Sequence, residues 1–138
     1  MVDALILETS FLVDLERELI AECPGPAQLF LQSHENQKLH ITFTIAGELA
    51  AGPRMSERAR WDRSVAPFEV LQCTPEVSWR YGRLYRYLKE NGLLIDANDL
   101  WIAATALAFG MPVVTRNERH FGRVPDLNVI GYADPSRH

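Results

Sequence analysis

The chain has 138 residues, 14 Lys+Arg against 18 Asp+Glu for a net charge of −4, and 47% hydrophobic residues. One domain of that length buries roughly two-thirds of its unfolded surface and needs no disulfide or metal staple. The apolar content excludes a disordered chain, and no stretch approaches the roughly 20 apolar residues of a membrane span.

The opening Met1 to Glu8 lacks the basic region of a secretory leader. Cys23 and Cys73 show no metal-binding or redox spacing. Both point to unpaired thiols in a reducing cytoplasm.

Ala4 to Leu7 is a short unbroken apolar run, the pattern of a strand covered on both faces. Phe11 then opens an amphipathic helix with Ser10 as its N-cap. A second helix is expected from Pro26 to His34, and a strand over Leu39 to Phe43, where β-branched residues alternate. Thr44 to Ala51 reads as a short helix stopped by Gly52-Pro53, and a more polar helix as running from Met55 to Val65. Phe68 to Leu71 is the next strand.

Thr74-Pro75-Glu76 is a helix start, with its stop at Asn91-Gly92. Asp96 begins a helix to Phe109 that is apolar all round and so must be covered on more than one side, by the sheet and by another helix or a second subunit. Pro112 to Thr115 and Leu127 to Ile130 complete the strands. Strands separated by helices predict a single α/β domain over residues 1–138, a three-layer α/β/α sandwich around a mainly parallel sheet. Ligands bind such sheets beyond the carboxyl ends of the strands.

Polar residues collect at those ends: Glu8, Glu48, Asp99 and the segment Thr115-Arg116-Asn117. Glu8 could mark where a strand meets water, Glu48 an outer helix position, and Asp99 a capping box with Asp96. Yet Glu48 lies one turn from Thr44 and Ile45, and Asp99 one turn from Ile102 and Ala103, so both border apolar faces. Inward-facing carboxylates are expensive unless compensated. The only lysines are Lys38 and Lys89, and most arginines lie between Arg54 and Arg86. A hard divalent cation, Mg²⁺ or Mn²⁺, is the natural counter-charge, because it takes oxygen ligands and keeps waters for a phosphate substrate.

The stretches Leu5 to Asp14, Ile45 to Leu49, Asn98 to Ala106 and Val113 to Phe121 resemble the successive motifs of PIN-domain ribonucleases, most closely the VapC toxins of toxin–antitoxin pairs. The resemblance extends over essentially the whole chain. It implies that Glu8, Glu48 and Asp99 occupy the positions of the metal-binding acids, with Thr9 and Ser10 at the small hydroxyl positions after the first. The fourth acidic position falls within Asn117 to His120, where Asn117, Glu118 and His120 are on offer. The family carries Asp where this chain has Glu8. Glu reaches one methylene further, and Mg²⁺ requires near-ideal octahedral distances, so the resemblance predicts a weakened site.

The expected activity is metal-dependent hydrolysis of RNA phosphodiester bonds. Glu48 would orient or deprotonate the attacking water, and Thr9, Ser10, Thr115 and Arg116 would position the substrate. Residues 54–90 carry 8 basic and 5 acidic residues, and their arginines with Tyr81, Tyr85 and Tyr87 form a candidate RNA surface. Two solvated helix faces would look the same. A homodimer and a cognate antitoxin are the partners the resemblance implies. Two other readings compete: a PIN-like module that binds without cleaving, and a phospho-acceptor signalling domain. The second needs a Lys near the last strand, and no Lys follows Lys89.

Overall fold

The computed structural model describes residues 3–132, so Met1 and Val2, part of the stretch read for a leader, lie outside it. In chain order the elements are β1 (Ala4–Leu7), α1 (Thr9–Ala21), α2 (Pro26–Ser33), β2 (Lys38–Thr42), α3 (Phe43–Ala50), α4 (Arg58–Val65), β3 (Glu69–Leu71), α5 (Pro75–Glu90), α6 (Ala97–Phe109), β4 (Val113–Val114), α7 (Glu118–Phe121) and β5 (Val129–Ile130). The five strands form one sheet in the order β3-β2-β1-β4-β5, and every pairing is parallel.

Parallel pairing follows from the helical crossovers between strands. Leu5, Ile6 and Leu7 are all buried although successive side chains point to opposite faces, so helices cover both sides of β1. The result is the expected three-layer α/β/α arrangement.

Helix α6 is apolar because it is enclosed. Ile102, Ala103, Ala104 and Ala106 are fully buried, and α5 packs along it. Trp101 stacks on Tyr81 of α5 at 3.9 Å and meets Phe43 edge-on at 6.0 Å. The second subunit considered as a cover for Trp101 is therefore not required, and Phe109 at the far end remains partly exposed. Gly110 ends α6 in the left-handed region (φ 67°), which glycine adopts without strain.

Several element ends differ from the sequence reading. Helix α1 starts at Thr9, so its N-cap is Glu8 rather than Ser10, and the Glu8 carboxylate accepts the Ser10 N–H. Residues 55–57 are not helical, and α4 begins only at Arg58, anchored where Trp61 Nε1 donates to Ala46 O at 2.9 Å. Phe43 belongs to α3, capped by the Thr42 hydroxyl. Asp96 and Asp99 form no capping box, since the N-cap side chain of α6 accepts no hydrogen bond.

The connection from α1 to α2 is tied by Glu18. Its carboxylate accepts the N–H groups of Gly25, Ala27 and Gln28 at 2.9–3.0 Å, closing the N-terminus of α2 from another helix. A Cβ at residue 25 would stand 2.8 Å from the Glu18 carboxyl carbon, so glycine permits the contact. Partial burial opposes ionisation of Glu18, but the N–H donors outweigh it and hold the carboxyl below its ordinary range. This stabilisation is complete above the unfolded value near 4.5 and is lost as pH falls through the lower folded value. Replacing Glu18 by Ala is expected to cost about 1–2 kcal/mol in urea unfolding at pH 7. The cost should shrink in acid; a constant difference would contradict the account.

Candidate functional site

Strand β1 lies between β2 and β4, and the direction of chain progression reverses between β1 and β4. Open parallel sheets leave a crevice at such a switch point. Glu8 follows β1 directly and Thr115 follows β4 directly, so the sheet itself brings them together. The Glu8 N–H donates to Val114 O at 3.0 Å, continuing the ladder to the crevice edge.

Glu8 is only 6% exposed. Its Oε1 accepts from the hydroxyls of Ser10 (2.7 Å) and Thr115 (2.5 Å), and its Oε2 from Ser10 N–H (3.1 Å). Both hydroxyls also act as acceptors, Ser10 Oγ of the Arg116 N–H at 3.0 Å and Thr115 Oγ1 of the Asn117 N–H at 2.9 Å. The two side chains thus link the carboxylate to the backbone of the loop after β4. A carboxylate has about four acceptor positions, and a lone pair of Oε2 stays open.

Glu48 reaches the same crevice from α3. Its Oε1 accepts the Thr9 hydroxyl at 2.6 Å, and Oε2 the Asn98 amide at 3.4 Å. Asp99, in the first turn of α6, is different. It is half-buried and accepts no hydrogen bond among the described residues; His120 Nδ1 stands 3.7 Å from its Oδ2. Burial first, and then the charges of Glu8, Asp96 and Glu48, push Asp99 up to about 6, against the opposing pull of His120. Asn117 sits 2.8 Å from His120 Nδ1, so these two side chains occupy the fourth corner while Glu118 is exposed.

Compensation of the buried acids is therefore by hydroxyl and amide donors, not by arginine. Arg116, grouped with the site in the sequence reading, pairs with Asp14 at 2.6 Å. Within the basic middle of the chain, Arg58 pairs with Asp62, Arg80 with Glu76, and Arg54 with Glu16. Tyr81 is engaged with Trp101 and is not a free stacking platform, while Tyr85 and Tyr87 are exposed. Asn98, Asp14 and Tyr132 were missed as neighbours of the site. Asn98 adjoins Asp99 in sequence, whereas nothing local marks Tyr132.

The donor set consists of hard oxygens with mutual repulsion, which suits Mg²⁺ or Mn²⁺ rather than a softer ion. Among the described residues no three His, Cys, Asp or Glu side chains stand close enough together to hold a metal ion between them. Mg²⁺ takes one or two carboxylates and retains waters, so the open arrangement fits it.

The family model of the PIN domain matches residues 5–127, and the chain belongs to the PIN domain family. It is similar to ribonuclease VapC2 of Rickettsia felis, with 30% identity over 98 residues, 67% of this chain and 73% of that protein. Among solved structures, VapBC2 from Rickettsia felis bound to a promoter DNA fragment aligns with a TM-score of 0.77 at 24% identity, covering 94% of this chain and 98% of that one. VapBC-5 from Mycobacterium tuberculosis, a member of the VapBC family of toxin-antitoxin systems, aligns with a TM-score of 0.63 at 25% identity, covering 96% and 99%.

The raised Asp99 carboxyl sets a pH-dependent strain. Its folded value of about 6 exceeds the unfolded 3.8, so protonated Asp99 contributes stability below the lower value, and that contribution is lost as pH rises through the upper one. In EDTA at pH 7, Asp99→Asn is expected to raise stability by on the order of 2 kcal/mol. The gain should vanish toward pH 4; a variant no more stable than the parent at pH 7 would refute this electrostatic picture.

Proposed function

We propose that the protein is a divalent-metal-dependent endoribonuclease and the toxin of a toxin–antitoxin pair. The observation that carries this reading is Asp99, a half-buried carboxylate that accepts no hydrogen bond among the described residues and feels the charges of Glu8 and Glu48 at the crevice of the sheet. The ribonuclease relatives point to the same chemistry.

Asp99 and Glu8 Oε2 would hold Mg²⁺ or Mn²⁺, with Glu48 reaching the ion through a water. When bound, the ion supplies a water acidic enough to act as a nucleophile near neutral pH and offsets charge on the phosphate. Thr9 holds Glu48, whose carboxylate would orient the attacking water and take its proton. Ser10 and Thr115 keep Glu8 fixed, and the loop they pin presents Arg116 and Asn117 to the phosphodiester.

RNA cleavage in Mg²⁺ or Mn²⁺ should cease with EDTA and fall at least about 10²-fold in Asp99→Asn, beyond the loss typical of outer-shell partners. Activity surviving both treatments would exclude this function. A second reading, a binding module without activity, draws support from Glu8, most of whose acceptor capacity is taken by its own chain. Glu8→Asp discriminates: the shorter acid is expected to raise cleavage by up to about 10²-fold. No Mn²⁺ binding by either form would favour the inert module.

The antitoxin would dock in a groove of about 400 Å³ between α1 and residues 49–55, lined by Val13, Ile20, Leu49, Pro53 and Met55, with Thr9 and Glu48 at its site end. An apolar segment fits this lining, and an arginine on it would reach Glu48. Ile20 is 60% exposed and lies about three turns along α1 from Thr9, at the end of the groove away from the acids. Ile20→Glu should therefore abolish co-purification with the antitoxin encoded beside the protein while sparing RNA cleavage. Retained co-purification would place the partner elsewhere.

A further inference from the structure

Behind the crevice, three residues from distant parts of the chain meet. Arg116 Nη1 donates to Asp14 Oδ1 at 2.6 Å, and the Tyr132 hydroxyl donates to Asp14 Oδ2. Tyr132 also lies 3.3 Å from Ser10 O, and its ring meets the buried Phe11 edge-on at 4.7 Å. Asp14 is one helical turn beyond Ser10, whose hydroxyl accepts the Arg116 backbone N–H. Arg116 is thus held at both ends, its backbone by Ser10 and its guanidinium by Asp14.

The chemistry of this triad is suited to positioning. Arg17 adds only a distant 4.0 Å contact to Asp14, whose carboxylate is mostly shielded. Burial, and then Asp14, push the Tyr132 hydroxyl above its ordinary range, so it stays a neutral donor. Asp14 engages one guanidinium nitrogen, and the side chain is 52% exposed. An arginine has five N–H donors in a rigid fork, and among the described residues its others have no partner, which leaves a face for a phosphate.

We propose that Asp14 and Tyr132 are positioning residues that aim Arg116 at a phosphate of single-stranded RNA beside the Glu8–Thr115 corner. The proposal rests on the ribonuclease reading and adds the device that orients its substrate. Asp14 does not neutralise Arg116 for structural ends; it removes the freedom of a long side chain before substrate arrives, so that less entropy is lost on binding.

The test uses the full chain, a fluorescein-labelled single-stranded RNA, and Tyr132→Phe, which preserves the ring packing on Phe11. Cleavage kinetics should show KM raised about five- to tenfold, the scale of one net hydrogen bond, with the change in kcat well below that. In binding assays Arg116→Gln should lower the slope of log affinity against log salt by about one, and Tyr132→Phe should leave that slope intact. Added to Arg116→Gln, Tyr132→Phe should have no further effect on KM. Asp14→Asn should weaken RNA binding with the melting temperature monitored in parallel. Tighter binding by Asp14→Asn would show that Asp14 competes with the phosphate and would overturn the proposal. So would a Tyr132→Phe effect that persists without Arg116 or appears only in the melting temperature. A parent protein that cleaves no RNA overturns the ribonuclease reading as well, whereas an active parent with unchanged variants overturns the positioning role alone.

Discussion

The burial of Glu8 at the junction of β1 and β4 is the constraint around which the crevice is organised. An ionised carboxylate taken out of water costs several kcal/mol unless donors replace the lost hydration. Here Ser10 and Thr115 supply the donors, and because each hydroxyl also accepts a backbone N–H, satisfying Glu8 fixes the loop after β4. Parallel pairing makes the arrangement possible, since it places the carboxyl ends of β1 and β4 side by side. The most deeply buried acid among the described residues therefore also orders its surroundings.

The acids of the crevice divide into two kinds. Glu8 and Glu48 are held by hydroxyls and an amide, and their orientations are set before any ligand arrives. Asp99 has no such support among the described residues, and burial, then the repulsion of its neighbours, pushes its carboxyl up. Such a division would suit a preorganised cation site, with fixed oxygens on one side and uncompensated charge on the other. Behind it, Asp14, Tyr132 and Arg116 repeat the strategy with a cation, restraining a long side chain by a partner that leaves part of it free.

Much of the fold was legible locally. The apolar run of β1, the Thr74-Pro75 start of α5 and the Gly110 stop of α6 each follow from chemistry within a few residues. Reading Ser10 as the N-cap of α1 failed because a serine ordinarily outcompetes a glutamate there, yet the Ser10 hydroxyl is turned onto the Glu8 carboxylate, which itself accepts the Ser10 N–H. The α4 boundary moved because residues 55–57 carry no decisive stop signal, and packing of Trp61 on α3 decides where the helix holds. Trp101 was enclosed by Tyr81, a pairing between residues of different helices that no periodicity reveals.

By itself the sequence determined the alternation of strands and helices, the parallel sandwich and the acids expected at its crevice, because period, caps and apolar runs act over a few residues. Tertiary structure decided which acid is satisfied and which is bare, that Arg116 serves Asp14 rather than the carboxylates of the crevice, and that Tyr132 reaches back to α1. Those outcomes depend on hydrogen-bond partners more than 100 residues apart for Thr115 with Glu8 and for Tyr132 with Asp14. A donor's partner is set by distance and angle in space, and only the packed sheet supplies them.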